Sequence, residues 1–211
     1  MAKKMTGKEL VAFCRSKIGT PYVYGAKGKV LTSPDFQYLH NTYGNNLVPY
    51  SDHKKIGQVC VDCSGLISWA CGVVLGSGQW MNRANVKKPI ATLRQAPIGA
   101  LVWMDGHIGV YSGMKNGVHH YIAADGSKYG VREVPISQNR FTHWLLVESV
   151  FDYEMEEEEM VEKDKIIVDG KECKVNMIRK DGVTYVKTRD IAELVGYHVG
   201  SQGKVPVLTK E

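Results

Sequence analysis

Thr6 followed three residues later by Glu9, with Leu10, Val11, Cys14 and Ile18 recurring at helical spacing, predicts one amphipathic helix from about Gly7 to Lys17. Gly19-Thr20-Pro21 breaks it, and Tyr22-Val23-Tyr24-Gly25 follows as a short extended stretch. The passage from Ala26 to Val61 is rich in Gly, Asn, Ser, Pro and Tyr. It reads as an elaborated surface loop with one short helix near Asp35 to Asn41, and loops of that length usually serve a site. Leu66, Ile67, Ala70, Cys71 and Val74 then return to helical spacing, which sets Cys63 in the first turn of a second helix. From Gly99 the rhythm changes to short β-type runs: Ala100 to Met104, His107 to Tyr111, Val118 to Ala124, Val131 to Val134 and Trp144 to Val150. Helices first and an antiparallel meander after is the α+β pattern.

A different rhythm closes the chain. Ile166 to Val168 and Lys174-Val175 flank Asp169-Gly170, and Ile178-Arg179 and Thr184 to Val186 flank Asp181-Gly182, which predicts two hairpins with type I′ turns. Thr188 is placed to cap a short helix, Arg189 to Val195, that Gly196 ends, giving a small ββ-α-β module.

Charge sharpens the division. Residues 1–150 carry 17 Lys and Arg against 8 Asp and Glu, residues 151–165 carry 2 against 8, and residues 166–211 carry 8 against 6. The middle block lacks apolar periodicity and reads as a solvated acidic linker, so the expected organisation is a domain over 1–150, a linker over 151–165 and a module over 166–211. The basic first segment favours an anionic partner. Its lysines are scattered (Lys3, Lys4, Lys54, Lys55, Lys87, Lys88) and accompany no nucleic-acid-binding motif, so no nucleic acid is expected; an acidic membrane surface or an anionic polymer such as a cell wall accounts for the charge as well, and charge alone does not choose between them.

With 44% hydrophobic and 23% charged residues the chain has the balance of a globular protein. Its longest nearly uncharged apolar stretch, Gly65 to Gly76, is too short for a membrane span, which takes about 20 residues. Five cysteines and an N-terminus without an apolar h-region point to a product made reduced in a cytoplasm, with no signal peptide expected.

Cys63 is the strongest candidate for chemistry. A helix N-terminus favours the thiolate, and its free N–H groups can stabilise an oxyanion on an attacked carbonyl. Asp62 and Ser64 flank it with polar groups able to orient a substrate. His107, at a strand start just after the Asp105-Gly106 turn, is the candidate base, and such a pair makes a Cys/His acyl-transfer site. Cys60-Val-Asp-Cys63 lacks the second Cys/His pair that a zinc site needs, and adjacent strand residues His119 and His120 point to opposite faces, so neither metal nor cofactor is expected.

Three stretches taken in order, Tyr22-Val23-Tyr24-Gly25-Ala26, Asp62-Cys63-Ser64-Gly65 and Gly106-His107-Ile108-Gly109-Val110-Tyr111, resemble the Tyr-x-x-Gly-Gly, Asp-Cys-Ser-Gly and Gly-His-x-Gly-x-Tyr motifs of the NlpC/P60 cell-wall cysteine peptidases. Tyr121 to Asp125, Lys128 to Val131 and Thr142 to Trp144 look like the phage and prophage branch of that family. The resemblance implies a papain-like core and an endolysin. Such an enzyme hydrolyses a stem-peptide amide of peptidoglycan, commonly between γ-D-glutamate and a diamino acid. Cys63 would be the nucleophile, His107 the acid and base, and Tyr22 would assist the oxyanion with the Cys63 backbone N–H. It would work in the cell wall after release at lysis.

The family places a third polar residue on the strand after the histidine strand. Pairing about a turn at Lys115 to Gly117 places Ile122 or Ala123 opposite His107, and Ala123 cannot orient an imidazole, so the third role stays unassigned. Two other readings therefore stand beside the endopeptidase: an N-acetylmuramoyl-L-alanine amidase using the same site, and an inactive wall-binding protein. Residues 166–211 resemble the small repeats named after the copper amine oxidase N-terminal domain, without a copper site, and serve either wall binding or self-association into a homo-oligomer.

Overall fold

A computed structural model describes residues 4–154, 162–180, 182–203 and 205–210, and the chain divides into two compact units, Met1–Met155 and Glu156–Glu211. The first unit opens with a two-residue strand β1 (Met5–Thr6) and helix α1 (Gly7–Ser16). The capping box forms as the sequence predicts: the Glu9 N–H donates to Thr6 Oγ1, and the Thr6 N–H to the Glu9 carboxylate.

The passage from Ala26 to Val61 is more ordered than its composition suggests. It holds strand β2 (Lys27–Val30), helix α2 (Ser33–Leu47), a 3-10 turn over Tyr50–Lys55 and strand β3 (Val59–Val61), which pairs antiparallel with β2. Thr32 and Asp35 form a second capping box with Pro34 in the first turn, and the helix kinks at Gly44, whose φ is 73°. This lobe has its own small core of Val23, Leu31, Phe36, Val48 and Cys60.

Helix α3 (Cys63–Cys71) and the short α4 (Ser77–Arg83) come next, then β4 (Val86–Pro89), β5 (Leu101–Met104), β6 (His107–Lys115), β7 (Val118–Ala124), β8 (Val131–Pro135), β9 (His143–Leu146) and β10 (Phe151–Asp152), the last pairing with β1. Six of them form one antiparallel sheet in the order β4-β9-β5-β6-β7-β8. The fold class is α+β.

Strand alternation divides the sheet's side chains between two layers. Ile108, Val110, Ile122 and Ala124 are buried with Leu10, Val11 and Cys14 of α1 and Leu66 and Ile67 of α3. Val102, Tyr111, Tyr121, Ala123 and Trp144 are buried with Leu93 and Phe141. Full burial of a side chain such as Leu66 or Ile67 contributes about 1.5–3 kcal/mol, so these contacts fix where the first turn of α3 lies against β6.

In the second unit β11 (Glu162–Val168), β12 (Lys171–Lys180) and β13 (Val183–Val186) make one antiparallel sheet, followed by helix α5 (Thr188–Leu194) and a separate hairpin, β14 (Tyr197–Gln202) with β15 (Val205–Lys210). The two expected hairpins thus share β12, and two strands rather than one follow the helix. Asp169 and Gly170 have φ of 47° and 76°, as a type I′ turn demands. Thr188 is the first residue of α5, and the N-cap is Lys187, which makes no side-chain cap; Asp190 instead accepts from the Asn176 backbone N–H and side chain. Of the acidic stretch 151–165, Phe151–Asp152 is β10 and residues 162–165 belong to β11, while residues 155–161 lie outside the described residues. No helix among the described residues is long and apolar enough to cross a membrane.

Candidate active site

Asp62 starts α3. Its Oδ1 accepts the Gly65 N–H, making it the N-cap, so Cys63 is the first helical residue, with the free N–H groups of the opening turn around it. Cys63 is 6% exposed. Asp62 Oδ2 accepts the Gly25 N–H at 2.9 Å, and Lys27 Nζ donates to both Asp62 oxygens at 2.9 and 2.8 Å and to Ser64 Oγ at 3.0 Å. Ser64 Oγ in turn donates to Asp62 Oδ1. Asp62 and Ser64 are both buried, and their polar groups lock the Gly25–Lys27 segment onto the helix start. The contact needs Gly65, because a Cβ there would stand 2.3 Å from the Ala26 carbonyl oxygen.

His107 is the first residue of β6, paired with Met104 across the Asp105-Gly106 turn. Its ring stacks on Phe141 at 5.7 Å and 17°. Nε2 meets Asp125 Oδ1 at 3.0 Å, and Cys63 lies close enough to the same ring to favour its charged form.

Asp125 therefore stands beside His107 at the position left unassigned above, and the expectation that Ile122 or Ala123 stands opposite His107 is overturned. The hairpin turns at Asn116-Gly117, with Lys115 facing Val118 and Gly113 facing His120. A one-residue bulge at Ser112 then shifts the register, so that Tyr111 faces Tyr121 and Val110 faces Ile122. Continued in step, that register brings Asp125, one residue past the end of β7, opposite His107. Ala123 faces Gly109 by the same count and is buried beside Tyr121.

Asp125 is held from several sides. Tyr121 Oη donates to Oδ2 at 2.8 Å, Arg132 Nε to Oδ2 at 2.6 Å and Asn139 Nδ2 to Oδ1 at 3.2 Å. Burial works against its ionisation, but the bonds from His107, Tyr121 and Arg132 outweigh it and keep the carboxyl below its ordinary range. Burial likewise opposes charge on His107, and the bonds to Asp125 and Cys63 outweigh it, raising the imidazole to about 9. At neutral pH this holds His107 as an imidazolium beside Cys63, the general device for activating a neighbouring cysteine.

Tyr22 bridges to Val61 in parallel, at the end of the strand that leads into Cys63. Burial first, then the proximity of Cys63 and Asp62, pushes its phenol far up, so it stays a neutral O–H donor. A groove of about 590 Å³ opens over Cys63 and is lined by Tyr24, Tyr43, Gly76, Gln79 and Asn82 among others. Tyr43 comes from α2, so the long passage after Ala26 does contribute to the site.

Lys27, Arg132 and Asn139 carry no local signal that points to the site, and Tyr121 stands out only as the start of the Tyr121 to Asp125 stretch. All five cysteines are free thiols, and Cys60 is buried with its Sγ against the carbonyls of Lys55 and Gln58. Among the described residues no group of three or more His, Cys, Asp or Glu side chains is arranged to hold a metal. His119 Nδ1 pairs with the Tyr111 hydroxyl and His120 Nδ1 with the Val118 carbonyl. No family model matches the chain, and no curated protein is significantly similar to it.

Proposed function

We propose that the first unit is a papain-like cysteine peptidase of the NlpC/P60 type, an endolysin that hydrolyses a stem-peptide amide of peptidoglycan at the bond between γ-D-glutamate and a diamino acid. The observation that carries this reading is the succession Asp125, His107, Cys63, with the cysteine at a capped helix start and a neutral tyrosine beside it. The three family motifs meet at that one place. The inactive wall-binding alternative drew on Ala123, whereas the Asp125 carboxylate beside His107 supports the hydrolase.

On this reading the Cys63 thiolate attacks the amide carbonyl, forming a C–S bond. The Tyr22 hydroxyl and the Cys63 backbone N–H take up the oxyanion. His107 passes its proton to the leaving amine, the C–N bond breaks and a thioester remains. His107, now neutral, takes a proton from water as the hydroxide attacks the thioester, and release of the acid restores thiolate and imidazolium. Asp125 keeps the ring oriented throughout. No cofactor takes part. The enzyme is made in the host cytoplasm and acts on the wall after lysis, and residues 166–211 bind the wall or pair with a second copy.

Mass spectrometry of purified Gram-positive peptidoglycan digested by the wild type and by Cys63→Ala tests the reading. Fragments ending in γ-D-glutamate, made by the wild type alone, are expected. Stem peptides beginning with L-alanine would make the enzyme an amidase, and no cleavage by the wild type would sink the hydrolase.

A further inference from the structure

Lys55 and Asp52 form an ion pair in the 3-10 turn after α2, with side chains only 8% and 2% exposed. Buried pairs of this kind contribute little net stability, because desolvation offsets most of their attraction. Their placement is more informative. Lys55 Nζ donates to Asp52 Oδ1 at 2.7 Å, to the Tyr22 carbonyl at 2.7 Å and to the Ser127 carbonyl at 3.1 Å, which uses all three of its N–H groups. Asp52 Oδ2 accepts from Ser127 Oγ at 2.8 Å. One ammonium group therefore ties together three separate pieces of chain: the lobe between Ala26 and Val61, the backbone of Tyr22, and the loop two residues past Asp125.

Those last two pieces carry the oxyanion donor and the residue that orients His107. They already run side by side, since the Gly19 and Val131 N–H groups donate to the Val131 and Thr20 carbonyls at 2.9 Å. A Cβ on Gly130 would meet the Thr20 carbonyl oxygen at 2.5 Å. Lys55 adds a link at the end nearest Cys63. Two carbonyl oxygens with like partial charges face one another across its ammonium, and without a cation between them they would repel.

We propose that Lys55, oriented by Asp52, is a positioning residue for the Cys63–His107–Asp125 site, fixing Tyr22 and the Asp125 loop in one frame. The inference rests on the reading of Tyr22 as oxyanion donor and Asp125 as the orienting group. It also gives the long lobe a second role, as the support of both sides of the reacting centre.

The test replaces both charges at once, Asp52→Asn with Lys55→Met, since removing Lys55 alone strands a buried carboxylate. The full chain is melted by circular dichroism to show that it folds. The rate at which iodoacetamide alkylates Cys63 is then followed against pH by mass spectrometry of the Cys63 peptide. The inflection set by the His107 imidazolium should move about one pH unit toward acid, because a displaced Asp125 no longer counters burial of the ring. Turnover on peptidoglycan fragments should fall about tenfold or more with KM within about twofold, as small misplacements do. A folded variant with the wild-type profile overturns the proposal. If the double variant does not fold, Ser127→Ala decides: it keeps the ion pair and loosens its hold on the loop, so it must shift the same inflection in the same direction, and an unmoved inflection overturns the proposal. Alkylation needs no substrate, so a shifted profile in a protein that leaves peptidoglycan intact would sink the hydrolase reading and leave the positioning role standing.

Discussion

His107 and Asp125 meet at 3.0 Å because a single bulged residue, Ser112, changes the pairing of β6 with β7 partway along the hairpin. On the turn-side register, in which Lys115 faces Val118, the residue opposite His107 would be Gly126, which has no side chain to offer. The bulge moves the partner back by one, to a carboxylate that three other side chains already hold. An acceptor fixed in this way orients the imidazole and favours its charged form at the same time.

Replacing Asp125 with alanine should therefore do two things. Cys63 alone would then counter burial on His107, so its titration should fall from about 9 toward the ordinary imidazole value near 6.5. Turnover at neutral pH should drop by about 10² to 10⁴. Asp125→Asn should not rescue it. With its oxygen toward His107, the amide would turn its NH₂ on Arg132 Nε, a donor that cannot accept. The pH profile of Cys63 alkylation and kcat on a stem-peptide substrate check both variants, and an Asn variant with wild-type turnover would contradict this account of the site.

Tyr22→Phe isolates the oxyanion contribution. The ring packs against the same core as Cys63 and should stay in place, so folding and KM should hold. Loss of one oxyanion donor costs about 10² to 10³ in kcat. A kcat within about twofold of wild type would remove Tyr22 from the mechanism.

How far the sequence could be read depended on whether the signal was local. Thr6 with Glu9 announces a helix start because a capping box is a short-range pattern, the apolar spacing from Leu66 to Val74 sets Cys63 in another first turn, and both helices begin there. Alternation in His107 to Tyr111 and Val118 to Ala124 marked β6 and β7 for the same reason. Thr32 with Asp35 is an equally local signal, and it opens a 15-residue α2 that the Gly and Asn content disguised as loop. Asp125 was adjacent to the expected position but unassignable, because its role depends on a register set by the Ser112 bulge. Lys27 and Lys55 look like solvated lysines in a polar passage. Only the tertiary fold puts them against Asp62 and Asp52.

The start of α3 should be the most sensitive backbone feature near the site. Asp62→Ala removes the acceptor of the Gly65 and Gly25 N–H groups and leaves Lys27 without its carboxylate, a loss of about 2 kcal/mol by urea unfolding. Gly65→Ala should be worse for activity. Its Cβ would push the Ala26 carbonyl, and with it the Gly25–Lys27 segment, away from the helix. A Gly65→Ala protein as active and as stable as wild type would mean that this close approach is not needed.

Glu133 offers a test on the far end of the same strands. It lies on β8, and although burial opposes its charge, Arg15 at 2.8 Å and Lys115 at 2.8 Å outweigh that and hold it down at about 2. Its folded value lies below its unfolded one, near 4.5, so its contribution is present in full above about 4.5 and is lost as pH falls toward 2. Melting temperatures measured between pH 7 and pH 2 should therefore fall more steeply for wild type than for Glu133→Gln. The Gln variant should be the less stable of the two at neutral pH, where Arg15 and Lys115 lose a charged partner, and the gap should narrow on the acid side. Parallel curves across the whole range would show that Glu133 titrates alike in the folded and unfolded chain, and that the two cations do not hold it.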